Sequence, residues 1–218
     1  NLALTLEILQ EFHNVTDVIV YGNDFVGESV DLANQLMDQG ILNTGRANGH
    51  KGRICQSDSR NLSHVPSNSF DLVFTGYLSP MYDPLQTNLP DDGDDDDDDD
   101  DDDKEGSKLW AFYDKVCEED NQALKMAMAF QQEEWFSQWV QEMIRIAKPG
   151  SPVIVEQVSP PYCDFQGDWD GVSRDFWKRQ VYNGTGAWKD IDPESLDFAT
   201  AGMFREDRYN VYLQKKAA

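Results

Sequence analysis

Ile144-Arg145-Ile146-Ala147-Lys148-Pro149-Gly150-Ser151-Pro152-Val153-Ile154-Val155-Glu156-Gln157-Val158 is the stretch that decides the fold class. It reads as the last turn of an amphipathic helix, a tight Lys-Pro-Gly turn and a buried strand. Proline bars further helix, and glycine supplies the positive φ that a tight turn often needs. The β-branched run that follows suits a pleated, covered surface.

Working upstream, Trp135, Trp139, Met143 and Ile146 form one stripe of a long helix that the spacing starts near Gln131. Before it, Phe70-Asp71-Leu72-Val73-Phe74 reads as a second buried strand, entered through the Pro66-Ser67-Asn68-Ser69 turn. Further back, Arg53–Gln56 reads as a brief strand and residues 40–52, rich in Gly and Asn, as loop. Val26, Val30, Ala33 and Met37 mark a helix face, preceded by an apolar strand over Asp17–Gly22. Leu2, Leu6, Leu9 and Phe12 recur at near-helical spacing, so the chain opens in mid-helix. Downstream of Val158 come a loop over Ser159–Gly171, a short helix over Ser173–Gln180, and a closing hairpin with strands near Ser195–Ala199 and Tyr209–Gln214. Strands alternating with helices predict a mostly parallel α/β sheet, with the hairpin contributing one antiparallel strand near the C-terminus.

At 218 residues, with 39% hydrophobic residues and six tryptophans, the chain can bury one good core. Its formal charge is −23. About half of that comes from the aspartate run between Asp91 and Asp103, and the remainder is ordinary for a soluble enzyme. Such a surface argues against nucleic-acid phosphate or an anionic membrane as partner. No apolar run approaches the ~20 residues of a membrane span. The tract from Pro80 to Lys108 combines prolines with the aspartates and reads as a disordered acidic insertion. It divides one domain into an N-terminal part, residues 1–79, and a C-terminal part, residues 109–218. Cys55, Cys117 and Cys163 lie far apart, and His13, His50 and His64 have no ligand spacing, so no metal site is expected. A reducing, cytoplasmic compartment is the default. Sequons at Asn14, Asn61 and Asn183 are of the kind an Asn-rich chain makes by chance.

In an open α/β sheet, ligands bind beyond the carboxyl ends of the strands, so the residues just after each strand are the ones to inspect. Asp24 follows the first visible strand. A carboxylate there accepts hydrogen bonds from a ribose diol; alternatively it is an acid favoured by the positive end of the following helix. Phe25 could cover one face of a base or simply enter the core. Asp58, flanked by Ser57 and Ser59, could accept an exocyclic amine or close an Asx-turn. Thr75-Gly76-Tyr77 follows Phe74; glycine permits close backbone approach and Tyr77 could reach a ligand, or the three form a plain strand-to-loop turn. Glu156 follows the apolar core of its strand and reads as an edge or solvated carboxylate, unless a site lies against it. The loop around Tyr162, Trp169 and Asp170 is rich in aromatics and acids and reads as a lid packed against the core.

The order of these features is more informative than any one of them. Strand–Asp24–helix, strand–Asp58, then "NSFDLVFTGYL" from Asn68 to Leu78, then helix–"KPG"–strand resembles the class I S-adenosylmethionine-dependent methyltransferases over nearly the whole chain less the insertion. The resemblance implies a three-layer α/β/α sandwich with sheet order 3-2-1-4-5-7-6. It further implies S-adenosyl-L-methionine as cofactor, a small-molecule methyl acceptor, and a cofactor site built from Asp24, Phe25, Asp58, Ser59, Thr75 and Gly76. Asp24 would bind ribose and Asp58 adenine, while Tyr77 is the candidate on the methyl-transfer side. The family's Gly-rich loop and first strand would lie before Asn1, so the resemblance implies a chain truncated ahead of them. A different reading is a non-catalytic acidic interaction or cation-binding protein on a truncated Rossmann-like fold. A third, a nicotinamide-dependent reductase, would need another Gly fingerprint upstream and usually a Tyr-x-x-x-Lys pair.

Overall fold

The computed structural model describes residues 17–42, 46–47, 50–75, 122–159, 171–200 and 208–218. The chain divides into two compact units, Asn1–Val65 and Pro66–Ala218. The expected helix over the first residues, the acidic insertion, and Gly76 and Tyr77 fall outside the described residues.

In the first unit, β1 (Gly22–Asp24) pairs in parallel with β4 (Ile54–Gln56), Asn23 opposite Cys55. Helix α1 (Gly27–Asp38) connects them through a small antiparallel ladder of β2 (Arg46–Ala47) and β3 (His50–Lys51). Residues 40–52 are therefore not all loop. The first strand is also displaced from its expected place over Asp17–Gly22. Pairing begins at Gly22, whose N–H donates to the Arg53 carbonyl (3.0 Å), because the ladder exists only where β4 runs alongside. Val30 and Met37 are the buried residues of α1. Asn34, one turn before Met37, donates from Nδ2 to the Ile54 carbonyl (2.8 Å) and accepts from the Ile54 N–H at Oδ1 (3.1 Å). One side chain thus pins the helix to the strand that follows it.

The second unit is built on a four-stranded sheet, in order β5 (Val73–Thr75), β6 (Pro152–Val158), β8 (Tyr209–Gln214) and β7 (Asp197–Thr200). β5 and β6 are parallel, and β8 is antiparallel to both of its neighbours. The long helix α2 spans Gln122–Ile146, starting well before Gln131. Its first turns, Ala123-Leu124-Lys125-Met126-Ala127-Met128, are strong helix formers without an obvious apolar stripe, so propensity rather than periodicity sets the start. Phe70 forms only an isolated bridge to Ala147. The regular strand there is thus shorter than the expected Phe70–Phe74. Trp139, Met143 and Ile146 are buried as the stripe predicts, while Trp135 is only half-buried.

The Lys-Pro-Gly turn is as expected. Ser151 N–H donates to the Lys148 carbonyl (3.0 Å) with Gly150 at φ 79°, the geometry of a type II turn with Pro at its second position. Helix α3 (Arg174–Asn183) is capped by Ser173, whose Oγ accepts from the Phe176 N–H (3.3 Å). Short 3-10 turns over Gly186–Asp190 and Pro193–Ser195 lead into β7. The core between α2, α3 and the first of these turns is aromatic. Phe136 meets Trp177 edge-on at 6.2 Å, Trp177 meets Phe176 at 5.2 Å, and Trp188 lies 6.1 Å from Trp177. The indole N–H groups are satisfied: Trp188 donates to Ser137 Oγ and Trp177 to Tyr209 Oη, both at 3.0 Å. Tyr209 in turn donates to the Val172 carbonyl, and burial pushes its hydroxyl above the usual tyrosine range. This chain fastens α3 to the closing strand. No helix among the described residues is long and apolar enough to cross a membrane.

Candidate functional site at the strand ends

At the carboxyl end of the β1–β4 pair, the predicted residues Asp24, Phe25, Asp58 and Ser59 come together. The parallel ladder continues past its last pair, with Ser57 N–H donating to the Asp24 carbonyl (3.0 Å). Asn23 then ties the two strand ends, donating from Nδ2 to Ser59 Oγ (2.9 Å) and to the Ser57 carbonyl (3.4 Å). Asp24 Oδ1 accepts from the Val26 N–H (2.8 Å), an Asx-turn that sets the entry to α1, and Oδ2 makes no hydrogen bond among the described residues. Phe25 is 74% exposed, so it is not a core aromatic. Its carbonyl accepts from Gln56 Nε2 (3.2 Å).

Asp58 is held differently from what its position alone suggested. Its Oδ1 accepts from the Arg60 N–H (2.9 Å), and both oxygens accept from the Arg60 guanidinium, with Oδ2 to Nη2 at 2.6 Å. This pair keeps the Asp58 carboxyl below the usual carboxylate range. Asp58 thus closes an Asx-turn, as one of its two expected readings has it, and its charge is shared with Arg60. Ser57 Oγ beside it is buried with no hydrogen-bond partner among the described residues. Arg60 and Asn23 escaped the sequence reading. An Arg two residues after an Asp is a weak signal, and nothing local marks Asn23 as a strap.

The second group lies at the carboxyl ends of β5 and β6. Thr75 is only 8% exposed, and its Oγ1 accepts from the Glu156 N–H (3.3 Å). Gly76 and Tyr77 lie outside the described residues. Glu156 is half-buried and its carboxylate makes no hydrogen bond or ion pair among the described residues; burial raises its carboxyl above the ordinary glutamate value. Gln157, next along, has φ 55°, and its N–H donates to Asn210 Oδ1 (2.9 Å). Asn210 carried no signal in the sequence. The Tyr212–Lys216 pair supplies a Tyr-x-x-x-Lys spacing, but Tyr212 is on β8, and Lys216 Nζ donates to the Lys189 carbonyl (2.5 Å). Among the described residues, no group of three or more His, Cys, Asp or Glu is placed to hold a metal ion.

No protein-family profile matches the sequence, and no curated protein matches it. Solved structures do. A SAM-dependent methyltransferase from Methanosarcina mazei superposes with a TM-score of 0.50 at 11% identity, over 98% of this chain and 87% of its own. The CurJ carbon methyltransferase gives 0.45 at 6% identity, over 99% and 52% respectively. The YcgJ protein of Bacillus subtilis gives 0.43 at 9% identity, over 92% and 83%. The fold resembles that of the class I S-adenosylmethionine-dependent methyltransferases, a likeness of fold alone at 11% identity.

Proposed function

We propose that the protein is an S-adenosyl-L-methionine-dependent methyltransferase acting on a small-molecule acceptor. The observation that carries this reading is the meeting of Asp24 and Phe25 with Ser57, Asp58 and Ser59 at the carboxyl end of one parallel β–α–β unit. These residues fit the nucleoside half of the cofactor. Among the described residues Asp24 Oδ2 is unengaged and can accept from a ribose hydroxyl, the Phe25 ring is exposed and can cover a base, and Ser57 Oγ is a buried polar atom without a partner. Asp58 accepts a base amine only by sharing or releasing Arg60, so Arg60 acts as a placeholder for that donor.

In this reading, β4 and β1 correspond to the family's third and second strands, and β5-β6-β8-β7 to its fourth, fifth, seventh and sixth. The helices complete a three-layer α/β/α arrangement, and residues 80–108 interrupt a single domain. By the resemblance, Thr75 and the Gly76-Tyr77 segment that follows it would belong to the methionine side, with Tyr77 the candidate toward the acceptor. The bound cofactor supplies an already activated methyl group. The protein's part is therefore to position the acceptor and exclude water, without a dedicated catalytic triad.

Isothermal titration of the chain with S-adenosyl-L-methionine tests the reading. Charge-assisted hydrogen bonds are worth about 1.5–3 kcal/mol, so Asp24→Ala is expected to weaken binding by roughly tenfold or more. Phe25→Ala weakens it less. Absence of saturable heat with the unaltered chain, or an affinity indifferent to Asp24, overturns the assignment.

A further inference from the structure

We infer that Glu156 is the residue that receives the methyl acceptor, and that the acceptor presents a protonated amine to it. This rests on the methyl-transfer reading for the word acceptor, and on the geometry of one strand for everything else. In the β6–β8 ladder Val155 lies opposite Val211 and Val158 opposite Tyr209, so Asn210 alone faces both Glu156 and Gln157. That is a β-bulge, a device that bends a strand and re-aims a side chain, and one found often beside binding sites.

The bulge is held from both neighbouring strands. Thr75 Oγ1 on β5 accepts from the Glu156 N–H (3.3 Å), and Asn210 Oδ1 on β8 accepts from the Gln157 N–H (2.9 Å). Gln157 sits at φ 55°, a left-handed conformation unfavourable for a residue with a Cβ, and such residues persist where the surroundings enforce them. The product of this arrangement is a half-buried carboxylate with no hydrogen bond and no ion pair among the described residues.

Carboxylates taken from water normally find a donor or a cation. Here the described residues supply none, and we assign that place to a ligand. A carboxylate repels acids and phosphates, and a chain of formal charge −23 draws cations and turns anions away. A protonated amine satisfies both constraints, offering charge and N–H donors together. Thr75 and Asn210 are then positioning residues, acting through the backbone that carries Glu156.

Carboxyl-detected NMR of the chain with 13Cδ-labelled glutamate tests this, using n-butylammonium as the probe and butyrate as the anionic control. The expected result is a saturable shift of the Glu156 resonance with n-butylammonium and none with butyrate. In Glu156→Gln, the accompanying amide shifts of Thr75 and Asn210 disappear. In Asn210→Ala, the apparent affinity falls severalfold while near-UV circular dichroism of the aromatic core is unchanged. No saturable shift, an equal response to butyrate, or responses surviving in Glu156→Gln would falsify the proposal. A Glu156 shift produced by S-adenosyl-L-methionine and not by the amine also overturns it, placing the carboxylate on the donor side. Calorimetry with S-adenosyl-L-methionine on the same sample separates the two readings. Amine binding without cofactor heat sinks the methyltransferase assignment alone, and cofactor heat without amine binding sinks the Glu156 assignment alone.

Discussion

Lys215 Nζ lies 2.9 Å from the carbonyl oxygen of Ala147, the residue that immediately follows helix α2. The same ammonium donates to the Ile144 carbonyl (3.0 Å) and to Asn68 Oδ1 (2.8 Å). A residue almost at the end of the chain therefore closes the C-terminus of its longest described helix, where carbonyls lack intrahelical partners and a positive charge is favoured. Lys215 is 8% exposed, and burial moves its ammonium below the usual lysine range. Lys215→Met keeps the stem but leaves three acceptors unpaired. It is expected to destabilise the protein by about 2 kcal/mol, read as a lower urea midpoint at unchanged slope.

Asp58 and Arg60 offer a cleaner electrostatic test. Because Arg60 holds the Asp58 carboxyl below its ordinary value of 3.8, the stabilisation from this pair is fully present above that value and is lost as pH falls through the lowered one. Arg60→Ala should return the Asp58 titration, followed by carboxyl NMR, to the ordinary aspartate range. It should also remove that portion of the acid sensitivity.

Glu156 has the opposite sign. Its carboxyl is raised above 4.5 by burial, so the folded state favours the protonated form. The associated stability is present below the unfolded value and is lost as pH rises through the folded one. Glu156→Gln removes this dependence. Urea midpoints of the variant minus those of the unaltered chain should therefore grow from near zero at acid pH to a positive plateau at neutral pH. A flat difference would mean that the carboxylate is solvated.

Gly171 is held against Ser159. A Cβ at position 171 would stand 1.7 Å from the Ser159 carbonyl oxygen, a backbone atom that cannot swing aside. Gly171→Ala is expected to cost about 2 kcal/mol or more, at the upper part of the range for overpacking. The thermal midpoint measures it.

What could be read in the sequence was what is decided locally. The Lys148-Pro149-Gly150 turn, the strand after it, the short helix expected over Ser173–Gln180 and the Tyr209–Gln214 strand all follow from residues within a few positions of one another. The first strand starts later than its apolar run predicts, because Val18–Val20 is as apolar as any strand while the ladder is fixed by Arg53–Gln56, some thirty residues on. The start of α2 was placed too late, because Met126 and Phe130 are exposed and blur the stripe. At the site, the positions of Asp24 and Asp58 after their strands were legible. Their engagement was not, since Arg60 and Asn23 act through three-dimensional geometry. The bulge at Gln157 depends on Asn210, more than fifty residues away, and no spacing rule reaches that far.

Asn34 has one more consequence. In a strand, the N–H and C=O of one residue point to the same side, and at Ile54 they point away from β1, toward Asn34. The Asn34 carboxamide satisfies both, as the peptide group of an added strand would. The outer border of β4 is thereby occupied at its first residue, and a foreign extended chain finds no open template there. A side chain on a helix serves this small sheet as a guard against self-association, a form of protection normally built from charge, proline or closure.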